Sequence, residues 1–285
     1  MTRDRGPVEH FSEAEQIGVM GDVHGDMDHV LRVSAVFANR GVTTLVQLGD
    51  WAVIWPRENW HAAVDKLSRR LGQRGQQMYF LDGNHDAHVI LARFPIGPDG
   101  LRWIRPNIAH IPRGWRTTIG ENHTLAALGG ANSIDYQHRT RDVDWWPAHE
   151  QITDADLKVL GPEHADILLG HEVPFGVPSL DRHLASLPRW PFDAEWYARR
   201  SRYMFHRAVM QSRPQLTLGG HYHHFADDTV IYRGGAGAFT CRVVVLNQNG
   251  PGISQAILDT RTLGLTFLRR DGTEAEPSPK GKPND

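Results

Sequence analysis

The sequence predicts an α/β fold built around a parallel sheet, and three observations carry that expectation. Short apolar runs alternate with amphipathic helical runs across residues 16–81, in the order β-α-β-α-β. Adjacent parallel strands need a long crossover, which is usually a helix. Each apolar run also ends in a loop that holds glycine and a carboxylate, and a second series of short strand-like segments follows over 101–128 and 229–269.

Taken in order, residues 1–15 are polar and expected to be disordered. Residues 16–20 read as a strand running into Gly21-Asp22-Val23-His24-Gly25-Asp26. A helix is expected over 28–40, with Val30, Leu31, Val33, Ala35, Val36 and Phe37 on one broad face and Gly41 stopping it. Asp26 and Asp28 suit its start, where the helix dipole favours negative charge. The strand at 43–48 ends at Gly49-Asp50. A helix over 58–70 carries Ala62, Ala63, Val64 and Leu67 at helical spacing, and the strand at 77–81 ends at Gly83-Asn84-His85-Asp86.

Short strands are expected within 101–114, 115–120 and 124–128, followed by an aromatic, charged loop from Ser133 to Pro147. Thr153 and Asp156 have the spacing of a capping box at the head of a helix over 153–160. The strand at 166–169 leads into Gly170-His171. A long helix over 193–213 precedes the strand at 215–218 and Gly219-Gly220-His221-Tyr222-His223-His224. Strands at 229–233, 242–247, 254–259 and 265–269 complete the chain, and the Pro-, Lys- and Glu-rich tail 272–285 is expected to be disordered. With no repeat and no long linker, 16–271 reads as one domain.

Composition narrows the function classes. The 285 residues include 31 basic and 33 acidic, a net charge of −2, and 40% are apolar. That is a globular composition with enough length for a sizeable core. No apolar run approaches the ~20 residues that span a bilayer, and the polar start lacks the apolar core of a secretory signal. A cytoplasmic protein with no membrane partner is therefore expected. The near-neutral charge disfavours nucleic-acid binding by bulk electrostatics. The single cysteine, Cys241, excludes a disulfide within the chain and any zinc site of several thiolates. The 17 histidines draw attention to metal binding and acid–base chemistry.

Five loops that follow apolar strands carry metal-ligating side chains: Asp22 with His24; Asp50; Asn84 with His85 and Asp86; His171; and His221 with His223. In open α/β sheets, ligand sites lie beyond the carboxyl ends of the strands, so these groups can converge. Each motif alone is more often a solvated loop or a turn; the five together, in this order, are a strong signal. Carboxylate, amide and imidazole donors suit Mn, Fe or Zn better than Ca²⁺. Seven ligands (Asp22, His24, Asp50, Asn84, His171, His221, His223) are too many for one tetrahedral ion and match two divalent ions sharing a carboxylate. Two such ions about 3.5–4 Å apart activate a water for in-line displacement at phosphorus. The neighbouring glycines, among them Gly49, Gly83 and Gly220, give the backbone freedom and room that a crowded ligand set needs.

These motifs, Asp22-Val23-His24, Gly49-Asp50, Gly83-Asn84-His85-Asp86, His171 and Gly220-His221-Tyr222-His223, resemble the calcineurin-like metallophosphoesterases over residues 20–224. The resemblance implies a four-layer αββα sandwich of two mixed β-sheets flanked by helices, with a dimetal site at the strand C-terminal ends. It implies one ion held by Asp22, His24, Asp50 and His223 and another by Asp50, Asn84, His171 and His221, with Asp50 bridging. It further implies a metal-bridging hydroxide as nucleophile and His85 as general acid at the leaving oxygen, a contribution typically of ~10²–10⁴-fold. The protein-phosphatase branch has a second Asp and an Arg after the second motif and an Arg before the third. Here Asp50 is followed by Trp51-Ala52-Val53-Ile54, and Asp82 precedes Gly83.

The expected enzyme is a phosphoester hydrolase with a slight preference for a small phosphodiester or a nucleotide. A nuclease, a phosphomonoesterase or protein phosphatase, and a non-catalytic metal-binding scaffold are the alternatives. Substrate contacts are expected from Asn84, His138, Arg139 and Arg141, with Asp86 supporting the ligands from behind. Trp51, Trp55, Trp145 and Trp146 suit either stacking on a base or loop packing. The stretch Arg199-Arg200-Ser201-Arg202, with Arg207 and Arg213, is what a nuclease groove would use. The native metals, the substrate, the orienting partner of His85 and the oligomeric state stay open.

Overall fold

A computed structural model describes residues 7–56, 59–120, 122–235 and 237–276. Thirteen strands and eight α-helices follow one another among them. They are α1 Pro7–Ser12, β1 Gln16–Met20, α2 Met27–Asn39, β2 Thr44–Gln47, α3 Trp60–Gln73, β3 Gln77–Phe80, α4 His88–Leu91, β4 Arg102–Arg105, β5 Ile108–His110, β6 Arg116–Ile119 and β7 His123–Leu128. Then come α5 Pro147–Glu150, α6 Asp154–Leu160, β8 Ile167–Gly170, α7 Pro178–Ser186, α8 Phe192–Ser212, β9 Leu216–Gly219, β10 Ala226–Gly234, β11 Gly237–Val245, β12 Gln255–Asp259 and β13 Leu265–Leu268.

The strands form two mixed sheets, ordered β13-β12-β1-β2-β3-β5-β4 and β10-β11-β9-β8-β7-β6. The central strands are parallel: β1, β2, β3 and β5 in the first sheet, and β7, β8, β9 and β11 in the second. Side chains alternate across a strand, and that parity makes the layers. Ile17, Val19, Val46 and Tyr79 meet Leu125, Ala127, Ile167, Leu169 and Leu218 between the sheets. Met20, Leu45, Met78 and Phe80 point the other way and are covered by Val33 and Phe37 of α2 and Val64 and Leu67 of α3. On the far side, Ala126, Leu168, Val243 and Val245 are covered by Leu157 of α6 and by Phe205, Ala208 and Val209 of α8. Three apolar interfaces thus separate four layers, the αββα sandwich the family resemblance implies.

Local signals explain the helix starts. The Asp26 carboxylate accepts from the His29 amide at 2.8 Å and caps α2. Thr153 and Asp156 form a full capping box on α6, the Asp156 carboxylate accepting the Thr153 amide at 2.7 Å. The expected helix over 58–70 runs as α3, three residues beyond position 70; Glu58 lies outside the described residues. The short helices α4 and α5 and the nine-residue α7 were not expected from the sequence. In α7 only Leu180 is buried, too little for a readable apolar stripe.

Both termini depart from the expected disorder where they are described. Residues 7–12 form α1, and Phe11 is fully buried, 4.5 Å from the ring of Tyr79 and 5.4 Å from Trp115. One aromatic side chain that closes the inter-sheet core is enough to order a polar segment. At the other end, Ala275 packs on the same core and Glu274 bridges to Leu268. Residues 1–6 and 277–285 lie outside the described residues. Among the described residues, no helix is long and apolar enough to cross a membrane.

Candidate metal centre

Parallel β1, β2 and β3 end at one edge of the first sheet, and β7, β8 and β9 end at the same edge of the second. The loops after them are bolted together by backbone hydrogen bonds. The amides of Val23 and His24 donate to Asp50 O at 3.1 and 2.9 Å, and the Gly220 amide donates to His171 O at 3.0 Å. The Asp22 carboxylate accepts the His221 amide at 3.1 Å, joining the first loop of one sheet to the last of the other.

Asp22, His24, Asp50 and His223 each offer a donor atom, and these atoms all lie within 4.8 Å of one another. His24 Nε2 and His223 Nε2 face each other at 2.9 Å. His24 Nε2 is 3.9 Å from Asp22 Oδ2 and 4.0 Å from Asp50 Oδ2, and His223 Nε2 is 3.3 Å from Asp22 Oδ2. Ligands at about 2.0–2.2 Å from a shared ion are spaced in this range. Next to this group, His171 Nε2 is 3.4 Å from Asp50 Oδ1 and 3.1 Å from Asn84 Oδ1. The His221 ring centre is 5.1 Å from that of His171. Asp50 thus lies between Asp22, His24 and His223 on one side and His171 with Asn84 on the other, and the His221 ring stands beside His171.

The backbone there is unusual. His24, Asp50, His221 and His223 have φ of 49°, 55°, 70° and 48°. Left-handed conformations are unfavourable for non-glycine residues and cluster at functional sites. Of the freedom and room that the sequence reading gave to the glycines, Gly83 and Gly220 supply the room. A Cβ on Gly83 would overlap Asp50 Oδ1 and come within 2.8 Å of His171 Nε2, and one on Gly220 would overlap Asp22 Oδ1.

The surrounding groups aim the ligands. His171 Nδ1 bonds Leu48 O at 2.9 Å, which leaves Nε2 facing Asp50 and Asn84. Burial works against a charged His171, yet Asp50 and Asp22 outweigh it and push its pKa up to about 10. Burial likewise opposes the Asp50 carboxylate, but His171, His85 and His24 hold its pKa well below the usual range. A spot where buried carboxylates draw positive charge so strongly, ringed by imidazole and amide donors, fits divalent cations. Asp86 clamps two loops from behind: its carboxylate accepts the amides of Asp50, Ala52 and Gly83 at 2.9, 2.8 and 2.8 Å. Burial and the neighbouring Asp50 charge raise its pKa to about 7.

The remaining candidates separate. His85 is held by its amide to Asp50 Oδ1 at 2.7 Å, and Arg139 Nη2 lies 2.8 Å from His85 Nδ1. Arg139 also donates to Asn84 O at 3.3 Å and is pinned by Asp135 at 3.0 Å. Burial, then the Arg139 charge, lowers the His85 pKa against the pull of Asp50. His138 turns toward Trp190, 6.1 Å between ring centres. Arg141 is 70% exposed and faces Asp142 at 3.8 Å, with no contact to a candidate ligand among the described residues.

Trp51 and Trp146 are buried, Trp55 packs on Trp146 at 5.5 Å, and Trp145 stacks on Tyr136 at 5.0 Å. Trp55 and Trp146 also line a separate cavity of about 660 Å³ with Trp60 and Arg93. In the arginine stretch, Arg202 pairs with Asp181 at 2.8 Å and Arg207 with Asp154 at 2.6 Å. Asp82 turns away from the pocket to Arg113, which donates at 2.6 and 3.0 Å.

Sequence reasoning missed the support behind Asn84. Its Nδ2 donates to Ser133 Oγ at 3.3 Å, and Ser133 Oγ donates to Glu150 Oε2 at 2.6 Å. Glu150 is fully buried and also accepts from Tyr197 Oη and Trp145 Nε1 at 2.7 and 2.9 Å. With its nitrogen so engaged, Asn84 turns Oδ1 toward the ligand pocket.

A four-layer sandwich whose two sheets converge on a pocket of carboxylates, imidazoles and an amide defines a metal-binding α/β protein of the phosphoesterase kind. The model of the calcineurin-like phosphoesterase family matches residues 16–225, and the chain belongs to that family. No curated protein matches the chain. Among solved structures it is similar to TT1561 of Thermus thermophilus, at 14% identity and TM-score 0.53, covering 90% of this chain and 99% of that one. It is also similar to a dimetal phosphatase from Danio rerio, at 13% identity and TM-score 0.50, covering 92% and 98%. At such identities these likenesses show the fold.

Proposed function

We propose that the chain is a dimetal-dependent phosphoester hydrolase acting on a small phosphodiester or a nucleotide. The carrying observation is the clustering of the Asp22, His24, Asp50 and His223 donor atoms within 4.8 Å, with His171 and Asn84 against the other side of Asp50. Asp22, His24, Asp50 and His223 would hold one ion, and Asp50, Asn84, His171 and His221 a second. Two bound divalent ions, of Mn, Fe or Zn, supply an activated water and neutralise charge growing on the phosphoryl oxygens.

The chain does the rest. His171 and Asn84 are oriented by Leu48 O and Ser133, so binding energy is not spent on arranging them. His85, fixed by Asp50 and flanked by Arg139, holds a proton for the departing oxygen on its imidazole. The Arg139 charge makes that proton easier to give up and offers a guanidinium to a phosphoryl oxygen. A single pinned guanidinium, without the arginine pair of the protein-phosphatase branch, supports a diester over a terminal phosphate dianion.

The test is a Mn²⁺-supplemented comparison of aryl mono- and diesters, nucleotides and oligonucleotides, with His85→Ala and Asp50→Asn in parallel. Hydrolysis of diesters or nucleotides is expected. His85→Ala should lower turnover with metal content kept, and Asp50→Asn should lose metal as well. Turnover of no phosphoester by the metal-loaded protein, or equal turnover by both variants and the parent, contradicts the proposal.

A further inference from the structure

A groove of about 730 Å³ opens beside the metal centre, and the mechanism does not use it. Candidate ligand His221 and its neighbour Tyr222 form its inner end, and α7, α8 and the segment between them form its walls. Trp190, Phe192 and Trp196 line it and are 38%, 83% and 56% exposed. Scattered single apolar residues on a surface need no explanation, but three large aromatic rings lining one concave site do.

The groove adjoins the candidate metal centre at His221. His221 belongs to the pocket itself, and Trp190 lies 6.1 Å from the ring of His138, the residue before Arg139. An ester whose phosphorus lies at the metal centre can place one of its organic groups in the groove past His221. The wall chemistry narrows what that group is. Arg202 is buried in the wall with its fork engaged by Pro174 O at 3.2 and 3.0 Å and by Asp181 at 2.8 Å, while the half-exposed Asp181 carboxylate keeps acceptor capacity at the groove. An acyl chain would leave these charges against hydrocarbon, which is unfavourable. A heteroaromatic ring with its own donors and acceptors would meet them while its faces stack on tryptophan. Arg199, whose guanidinium lies 5.2 Å from the Phe175 ring centre, has no carboxylate partner among the described residues and adds positive charge at the wall.

The geometry points to a nucleobase site in this groove, making the substrate a nucleotide ester that stacks its base against Trp190 and Trp196. This deepens the proposed hydrolase reading and rests on it for the direction of the ester. Trp190 and Trp196 are not among the tryptophans that the sequence reading weighed for stacking or packing.

Two measurements test it. First, calorimetric titration of the Mn²⁺-loaded protein with AMP and with ribose 5-phosphate isolates the base. AMP is expected to bind about 10-fold tighter or more, since stacking a base on aromatics typically contributes ~5–150-fold. That advantage should fall toward one in Trp190→Ala and Trp196→Ala and survive in Trp190→Phe. Second, the KM ratio of methyl p-nitrophenyl phosphate to thymidine 5′-p-nitrophenyl phosphate should exceed one in the parent and collapse in the alanine variants. Equal binding of AMP and ribose 5-phosphate overturns the base site, as does an AMP advantage that the alanine variants retain. Tighter binding of dodecyl phosphate than of AMP overturns it in favour of an acyl chain. If no ester is hydrolysed, the hydrolase reading fails while the AMP comparison still decides the groove.

Discussion

Arg139 rests its guanidinium on the imidazole of His85, with Nη2 2.8 Å from Nδ1, and Asp135 holds it there at 3.0 Å. The expected general acid is thus positioned by a cation from a separate loop, and among the described residues no carboxylate takes that place. Arg139→Ala is predicted to lower kcat by about 10²-fold, in line with removal of one charge-stabilising donor, with metal content unchanged. Lysine cannot reproduce the planar fork, so Arg139→Lys should recover little. Steady-state kinetics beside elemental analysis checks both; full kcat in Arg139→Ala would remove Arg139 from the mechanism.

Gly83 is tied to Asp50 by steric necessity, because any Cβ there overlaps Asp50 Oδ1. Gly83→Ala is therefore predicted to displace the shared carboxylate and strip metal from the folded protein. Circular dichroism should report an intact fold while inductively coupled plasma analysis reports the loss. Retention of full metal content would show that Asp50 has slack the structure does not reveal.

Tyr222, between two candidate ligands, donates to the buried Glu172 at 2.6 Å. Burial raises the Glu172 pKa, so the carboxyl depends on its few partners. Tyr222→Phe removes one and is predicted to destabilise the protein by ~1–3 kcal/mol. Urea denaturation measures it; an unchanged midpoint would mean that Glu172 finds another donor.

Asp166 ties the start of β7 to β8, accepting from the Thr124 amide at 2.8 Å and from Thr124 Oγ1 at 2.9 Å. Burial opposes its charge, but these bonds and His164 lower its pKa from 3.8 to about 2. A depressed carboxylate stabilises the fold fully above its unfolded pKa and loses that contribution as pH falls through the folded value. The contribution is at most ~2 kcal/mol. The stability gap between parent and Asp166→Asn should be widest above about pH 5 and narrow steadily below about pH 4. A gap independent of pH would show that the shift is absent.

Much of this was legible in the sequence. The apolar strand at 16–20 and the capping box at Thr153 are local signals that the fold obeys. The candidate ligands could be singled out because each follows an apolar strand, and strand ends in such sheets share one edge. Other features depend on distance in the chain. Nothing near Asn84 announces that Ser133 and Glu150 brace it, and nothing near His85 announces Arg139. Phe11 ordered a segment whose composition reads as frayed, because one side chain met an open core edge. The tryptophans divided by burial, which composition does not encode: Trp51 and Trp146 went inside, and Trp190 and Trp196 stayed at the groove.

The claim beneath all of this is that Asp50 joins two ions in one pocket. Equilibrium dialysis against Mn²⁺, Fe²⁺ and Zn²⁺, read by elemental analysis, tests it most directly on the parent and Asp50→Asn. The account predicts two ions per chain in the parent for at least one metal and fewer than one in the variant. At most one ion in the parent with every metal, or two ions kept without the Asp50 carboxylate, would contradict it.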